Sequence, residues 1–127
     1  MILGIGSDIL SIAHFEKAVQ ASPRLIQRVF TVSEQELAPK NSVKKIAYYA
    51  KRFAAKEAFS KACGTGIGSP ISWQDIEIKN TPQGAPYFIL SDSAKEFVCQ
   101  KFQVPTFTAH LSLSDDKDAL AFVVLEK

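Results

Sequence analysis

Two carboxylates and a lysine stand out in this sequence because their positions suit chemistry better than a solvated surface. Asp8 follows a short apolar run at the N-terminus, and Glu57 and Lys61 lie four residues apart in an alanine-rich segment. At about 100° per helical residue, Glu57 falls on the same side as Ile46 and Phe53, so its carboxylate is predicted to point inward. An ionised carboxylate in such a place is unfavourable unless a cation, a metal or several donors compensate it. These residues therefore predict a functional site.

A magnesium ion is one candidate for the group that compensates these acids. Mg²⁺ prefers hard oxygen ligands, uses only one or two protein carboxylates, and completes its coordination with water and substrate phosphates. Asp8 and Glu57 are therefore predicted to be its ligands. A structural interpretation remains open, in which Glu57 pairs with Lys61 at helical spacing and Asp8 caps a turn.

A basic segment surrounds Glu57 and predicts that the site attracts an anion. Residues 40–61 contain no acid except Glu57. Phosphate is the natural candidate for an anion that binds such a concentration of positive charge. The cations of this segment are Lys40, Lys44, Lys45, Lys51, Arg52, Lys56 and Lys61.

Three glycines alternate with other residues shortly after Lys61, at positions 64, 66 and 68. Because glycine has no side chain, the backbone N–H groups of this loop could approach a phosphate closely. The loop leaves a helix instead of entering one, so it matches neither the dinucleotide-binding fingerprint nor a Walker-type loop. Simple termination of the helix is the alternative.

His110 lies in an alternating segment in which Ser112 and Ser114 share its side of a predicted strand. No nucleophile-elbow sequence accompanies these serines, so a serine hydrolase is not expected. His110 is expected either to donate a hydrogen bond to an anion or to face solvent.

Length and composition predict one globular domain spanning residues 1–127. The chain has 46% hydrophobic and 22% charged residues, a net charge of +2 and a pI near 8.5. This charge is too mild to predict a nucleic-acid partner, and no apolar run is long enough for a membrane span. A signal peptide is not expected either, so the predicted location is the cytoplasm. Cys63 and Cys99 lack metal-ligand spacing and are expected to be buried thiols.

The N-terminal half is predicted to be helical around one long helix. A strand over residues 2–6 should end at Ser7 and Asp8, after which Ser11 is a candidate helix N-cap. A second short helix should follow Pro23, and Ser33 with Glu36 fits a capping box. The long helix is predicted from about Ser42 to Cys63, with Gly64 as its stop. Its apolar residues lie nearly all round, so it should be central, with one flank formed by Lys45, Tyr49, Arg52 and Lys56.

The C-terminal half is predicted to supply most of a sheet. Alternation over residues 73–79 and 87–90 indicates a hairpin, and Ser91 should open a helix that reaches Phe102. Residues 106–114 and 119–126 are predicted to be two strands joined by a turn. The fold class is therefore α+β: one long central helix with shorter helices packed on a mainly antiparallel sheet.

Taken together, these motifs resemble the holo-[acyl-carrier-protein] synthases, the short, stand-alone 4′-phosphopantetheinyl transferases. The resemblance runs in order along the whole chain and includes the segments at 4–9, 30–34, 51–62, 64–68, 84–86 and 110–112. The block from Arg52 to Lys61, joined to Asp8, is its most specific part.

The resemblance implies a reaction that the composition alone does not indicate. Such enzymes bind coenzyme A with magnesium and transfer its 4′-phosphopantetheine arm to a serine of apo acyl carrier protein. Adenosine 3′,5′-bisphosphate is released, and the carrier is activated for fatty acid synthesis. Members of the family assemble as homotrimers with each coenzyme A site between neighbouring subunits, so the same assembly is expected here.

The resemblance also implies roles for individual residues. It makes Asp8 and Glu57 the metal ligands and, with Lys61 at the diphosphate, the catalytic residues. It places coenzyme A against a further set of residues, and it places the carrier protein on the first two helices. Those implied for coenzyme A are Arg52, Lys61, Gly64, Thr65, Pro86 and His110; those proposed for the carrier are Lys17, Arg24 and Arg28.

One position departs from the family pattern. Many relatives have a second histidine five residues after the position of His110, whereas this chain has Asp115. No role of that second histidine can be transferred to this chain.

Two non-enzymatic alternatives remain. A coenzyme A or nucleotide binding module would need Lys61, the glycine loop and His110, but not both acids. A small RNA-binding domain would explain the basic helix together with exposed aromatic residues such as Tyr48 and Tyr49. The presence of both Asp8 and Glu57 favours the enzyme.

Overall fold

The computed structural model describes residues 1–127 and confirms the predicted α+β class. A 3₁₀ turn at Trp73–Asp75 precedes the second strand. The elements, in chain order, are β1 (Ile2–Ser11), α1 (Ile12–Ala21), α2 (Arg24–Val29), α3 (Val32–Glu36), α4 (Ser42–Cys63), β2 (Ile76–Asn80), β3 (Pro86–Leu90), α5 (Asp92–Phe102), β4 (Thr108–Asp115) and β5 (Asp118–Glu126).

Helix α4 is the central element, as its apolar residues on all sides predict. The side chain of Asn41 caps its N-terminus by accepting from the backbone N–H of Lys44 at 3.1 Å. Gly64 ends it in the left-handed conformation, with φ of +77°, which a residue with a side chain rarely adopts. Half of the helix is buried, and its buried apolar side chains belong to one connected hydrophobic core of 19 residues. None of the five helices is both long and apolar enough to cross a membrane.

The strands form two antiparallel sheets, not the single sheet that the sequence predicts. One sheet has the order β1-β5-β4, and β2 and β3 form a separate hairpin. Strand β1 continues to Ser11, which pairs with Asp118. The prediction that β1 ends near Asp8 is therefore wrong: Asp8 pairs with Ala121 inside the strand, because β5 is long enough to continue the ladder past it.

Two glycines allow β1 to lie directly on α4. A Cβ at Gly4 would overlap the carbonyl oxygen of Ala62, and a Cβ at Gly6 would overlap that of Ala58. Side chains alternate along a strand, so Asp8 points to the same side as Gly4 and Gly6, towards α4. The close contact of strand and helix therefore sets the distance between Asp8 and the C-terminal half of α4.

The capping box of α3 uses residues different from those predicted. Thr31, not Ser33, is the N-cap: its hydroxyl accepts from the N–H of Glu34 at 3.1 Å. The Glu34 carboxylate in turn accepts from the N–H of Thr31 at 3.0 Å. Ser33 lies inside the helix and cannot cap it, so the Ser33–Glu36 prediction is wrong by two residues.

Candidate active site

Strand β1 and helix α4 place Asp8 beside Lys61. The Lys61 ammonium donates to Asp8 Oδ1 at 3.0 Å and to the backbone oxygen of Ser7 at 3.0 Å. The Lys61 side chain is 53% exposed and that of Asp8 is 17% exposed. Side chains on a helix point towards its N-terminus, which is why Lys61 reaches back to the strand. The pair therefore lies at the surface, with the carboxylate largely covered.

Glu57 is half-buried, and its carboxylate has no hydrogen bond or ion pair within the chain. Burial raises its pKa, the negative charge of Asp8 raises it further, and Lys61 opposes both effects. The interpretation in which Glu57 pairs with Lys61 is wrong, because Lys61 pairs with Asp8. The predicted inward orientation of Glu57 is confirmed only in part, because the side chain is half-buried and not fully covered.

The two acids fit a magnesium site in number and type. No cluster of three or more histidine, cysteine, aspartate or glutamate side chains occurs in the fold, so Asp8 and Glu57 have no further acidic partner. The Asp8 carboxylate is close enough to raise the pKa of Glu57, and with only Lys61 beside them the two acids leave a net negative charge that a divalent cation would neutralise. Mg²⁺ accepts one or two protein carboxylates and takes its other ligands from water and phosphate.

A second basic site lies near the N-terminal half of α4. A cavity of about 400 Å³ brings Arg52 and Pro86 together, as the resemblance implies. Arg52 donates to Asn80 Oδ1 at 2.6 Å and stacks on the Tyr48 ring at 3.6 Å, while its buried Nε has no partner. The other residues that line the cavity are Pro39, Lys44, Ala47, Lys51, Gly84, Leu113 and Asp115.

Some residues of this cavity are absent from the predicted site. Lys44 and Lys51 belong to the basic segment of the sequence, so their charge could have predicted that they line an anion site. The contact of Asn80 with Arg52 could not be predicted from the sequence. Asn80 ends β2, which is distant from α4 in sequence, and only the folded chain brings the two side chains together.

The glycine loop is tied closely to the end of α4. The backbone N–H of Thr65 donates to Ser60 at 3.1 Å, so the loop folds back on the last helical turn. The Lys101 ammonium donates to the carbonyl of Cys63. A Cβ at Gly64 would lie 2.8 Å from the nitrogen of that ammonium. Lys101 therefore adds a cation beside the loop, a contact that sequence spacing does not predict.

His110 lies away from the basic cavity. It is on the exposed face of β4, where its Nε2 is 2.9 Å from Glu126 Oε1. Within one chain it therefore joins neither Arg52 nor the Asp8–Glu57 pair. The three cations expected at the carrier surface, Lys17, Arg24 and Arg28, are all exposed on α1 and α2.

A buried ion pair, which the sequence patterns did not predict, involves the residue next to Glu57. Lys56 and Glu34 are fully covered and 2.7 Å apart. Lys56 also donates to the carbonyls of Val29 and Trp73, and Glu34 accepts from the N–H of Ile78. Burial lowers the pKa of Lys56, and Glu34 opposes that shift.

The predicted cationic flank of α4 is therefore largely internal. Tyr49, Arg52 and Lys56 are all buried, and only Lys45 is exposed. The aromatic side chain of Tyr49 on this flank was the feature of the sequence that indicated burial. Burial of Tyr49 also removes one of the two aromatic side chains on which the RNA-binding alternative depends. Cys63 is buried as expected, which raises its pKa to about 11, whereas Cys99 is only half-buried.

The family profile and the related sequences that match this chain point to the same protein family. Residues 4–121 match the profile of the 4′-phosphopantetheinyl transferase superfamily. The holo-[acyl-carrier-protein] synthase of Pelagibacter ubique is 43% identical over 127 residues, covering 99% of this chain and 98% of that protein.

Solved structures agree over the full length. The holo-(acyl-carrier-protein) synthase of Bacillus anthracis, in complex with CoA (3′,5′-ADP), superposes with a TM-score of 0.82 at 39% identity, covering 100% of this chain and 98% of that one. The enzyme of Neisseria meningitidis superposes with a TM-score of 0.88 at 36% identity, covering 100% of both chains. The chain belongs to the 4′-phosphopantetheinyl transferase superfamily, within the holo-[acyl-carrier-protein] synthases.

Proposed function

We propose that this protein transfers the 4′-phosphopantetheine arm of coenzyme A to a serine of an apo acyl carrier protein. The observation that carries the proposal is the pair Asp8 and Glu57, with Lys61 beside them, in a member of this family. A binding module would gain nothing from two neighbouring carboxylates, because they repel an anionic ligand unless a cation neutralises them.

Asp8 and Glu57 would hold Mg²⁺, which supplies positive charge to the diphosphate from which the arm departs. Lys61 adds a second cation at this position. During transfer the serine oxygen forms a bond to phosphorus, and the bond from that phosphorus to adenosine 3′,5′-bisphosphate breaks. Negative charge grows on the departing phosphate, so a positioned ammonium stabilises the transition state more than the substrate.

Glu57 is our candidate for the general base that removes the serine proton. Its carboxylate has no hydrogen bond or ion pair within the chain, so an oxygen that does not bind the metal remains available to accept the serine proton. The product after transfer is a phosphodiester on the serine oxygen, and the serine proton resides on the Glu57 carboxylate until water removes it.

The nucleotide end of coenzyme A would occupy the cavity beside Arg52. Its cations suit the 3′-phosphate, and Pro86 and the Tyr48 ring offer apolar surface to adenine. Gly64 and Thr65 would lie beside the diphosphate, near Lys61. His110 would act from a neighbouring subunit.

A homotrimer with sites between subunits is part of this proposal. The outer face of the β1-β5-β4 sheet exposes apolar side chains, including Ile9, Leu120 and Phe122, and His110 lies on the same face. A hollow of about 340 Å³ that includes Lys61 and Phe122 connects this face to the site. Sedimentation analysis of the protein should give a trimer mass; a monomer mass at micromolar concentration would contradict the assembly.

The carrier protein would dock on α1 and α2. Carrier proteins of this kind are strongly acidic, so exposed Lys17, Arg24 and Arg28 would steer their approach in a salt-sensitive way. Arg28→Glu should raise the KM for the carrier several-fold and leave the KM for coenzyme A unchanged. Lys79→Glu, on β2, is the matched control. An unchanged carrier KM in Arg28→Glu would remove this helix from the interface.

We further propose that the whole chain is one domain that acts in the cytoplasm, on carriers used for fatty acid synthesis. A single connected core supports one domain, and two free cysteines suit a reducing compartment.

One assay tests the reaction. The protein is incubated with apo carrier, coenzyme A and Mg²⁺, and the carrier is weighed by mass spectrometry. The added arm should appear, should be absent after chelation, and should return with excess Mg²⁺. Binding of coenzyme A without any arm on the carrier would instead favour the non-catalytic binding module.

A further inference from the structure

The cavity beside Arg52 contains one carboxylate among its cations. Asp115, at the end of β4, is the only acid that lines it, and its Oδ1 lies 3.2 Å from the Lys51 ammonium. Both side chains are about one-third exposed, at 35% for Asp115 and 30% for Lys51. The positive charge of Lys51 is therefore already engaged when an anion arrives.

The two neighbouring cations of this cavity differ in mobility. Arg52 is held by Asn80 and by the ring of Tyr48, so its guanidinium is fixed in place. Lys51 has a flexible stem, is partly exposed, and makes its one salt bridge to Asp115. Of these two cations, Lys51 is therefore the one that can exchange one anionic partner for another.

We propose that Asp115 weakens the hold of this cavity on the phosphate-bearing nucleotide, by keeping Lys51 in an ion pair for which the phosphate must compete. The inference rests on the proposed function, since it takes the cavity to bind the 3′-phosphate end of coenzyme A. Substrate and released product carry the same nucleotide there. A carboxylate in the cavity therefore lowers affinity for both, which favours release of adenosine 3′,5′-bisphosphate after each transfer.

The test compares Asp115→Asn, which keeps the shape and removes the charge, with the wild-type protein. Calorimetry should show that Asp115→Asn binds adenosine 3′,5′-bisphosphate about two- to fivefold more tightly, the range for one partly exposed charge pair. The increase in affinity from wild-type protein to Asp115→Asn should be smaller for adenosine 5′-monophosphate, which lacks the 3′-phosphate. Asp116→Asn removes a charge from the next residue, outside this cavity, and should bind as the wild-type protein does.

A double-mutant cycle separates competition for Lys51 from a simple change of net charge. Lys51→Met should weaken binding of the bisphosphate, and Asp115→Asn should add nothing in the Lys51→Met background. A gain of equal size in that background would overturn the proposal, because Asp115 would then act without Lys51. Weaker binding by Asp115→Asn would also overturn it, since Asp115 would be a direct contact of the nucleotide.

Failure of this inference is distinguishable from failure of the proposed function. If the wild-type protein transfers the arm and binds the bisphosphate, but Asp115→Asn binds it no more tightly than Asp116→Asn does, only the role of Asp115 is wrong. If the wild-type protein neither transfers the arm nor binds the bisphosphate, the proposed function itself is wrong and the role of Asp115 falls with it.

Discussion

Consecutive residues of α4 enter two opposite electrostatic environments. Lys56 is fully covered and has three oxygen partners, among them the Glu34 carboxylate. Glu57, the next residue, is half-buried and has no partner within the chain. A charged side chain whose partners lie within the fold stabilises the structure, whereas a charged side chain without partners is available for a ligand.

The Lys56–Glu34 pair connects four segments of the backbone. Glu34 accepts from the N–H groups of Thr31 and Ile78, so both carboxylate oxygens have donors. Lys56 binds the carbonyls at the end of α2 and in the 3₁₀ turn before β2. A buried ion pair is tolerable under these conditions, because hydrogen bonds to every charged atom offset much of the desolvation cost.

The Asp8, Glu57 and Lys61 cluster lacks this balance. Lys61 neutralises Asp8, and Glu57 retains its charge at a place where burial and Asp8 both disfavour it. This cluster therefore has two negative charges and only one positive charge. That excess is what a divalent cation requires, and the same excess costs stability when no cation is bound.

The largest effect is expected from breaking the buried pair. Lys56→Met leaves the Glu34 carboxylate buried without a cation, so the free energy of unfolding should fall by about 3–5 kcal/mol. Urea denaturation measures this. Lys45→Met, on the exposed side of the same helix, should change stability by less than about 0.5 kcal/mol.

A second variant sharpens that result. Combining Glu34→Gln with Lys56→Met removes both charges and should recover part of the lost stability, because no charge is then left buried alone. If the double variant were as unstable as Lys56→Met, the loss would come from packing and hydrogen bonds, not from the unpaired carboxylate.

The neighbouring residue should behave in the opposite way. Glu57→Gln should lower kcat for arm transfer by at least about a hundredfold, the order found when one positioned electrostatic group is removed from a site. In a chelator, the same variant should be slightly more stable than the wild-type protein. Glu36→Gln, exposed at the end of α3, should alter neither property.

Magnesium should reverse the order of stability of the wild-type protein and Glu57→Gln that is expected in a chelator. Added Mg²⁺ binds the folded wild-type protein and should raise its free energy of unfolding, whereas Glu57→Gln should gain little. Loss of activity together with loss of stability in the chelator would show that Glu57 is structural, like Lys56, and would erase the contrast between them.

The sequence predicted some parts of this comparison well and others poorly. The bounds of α4 were predictable because Gly64 and the change of period beyond it are local signals, and the acid pair was predictable from the family motif. The burial of Lys56 was not, because its partner Glu34 lies 22 residues away and spacing along one helix does not report long-range contacts. For the same reason the sequence did not predict the contact of Asn80 with Arg52, which forms only when β2 packs beside α4.

The smallest expected effect is the pH dependence of stability at Glu57. Its pKa in the folded state is raised above the ordinary value of 4.5, first by burial and then by Asp8. Well below pH 4.5 the group is protonated in both folded and unfolded protein, so in a chelator Glu57→Gln should offer no advantage there. As the pH rises through the window between the two pKa values, unfolding releases a proton and the wild-type protein loses stability relative to the variant. The advantage of Glu57→Gln should then stay constant above the raised pKa.

Asp8→Asn tests the second cause of that shift. Without the Asp8 charge, and with Lys61 free to turn to Glu57, the pKa of Glu57 should fall towards its ordinary value. The pH-dependent advantage of Glu57→Gln should therefore shrink when both proteins also carry Asp8→Asn. Urea midpoints measured from pH 4 to 8 at one protein concentration give both differences. An advantage that decreased with rising pH would mean that the pKa of Glu57 is lowered, so that the attraction of Lys61 outweighs burial and Asp8. Glu57 would then be a satisfied charge like Glu34, and the cluster would have no excess charge to offer a metal.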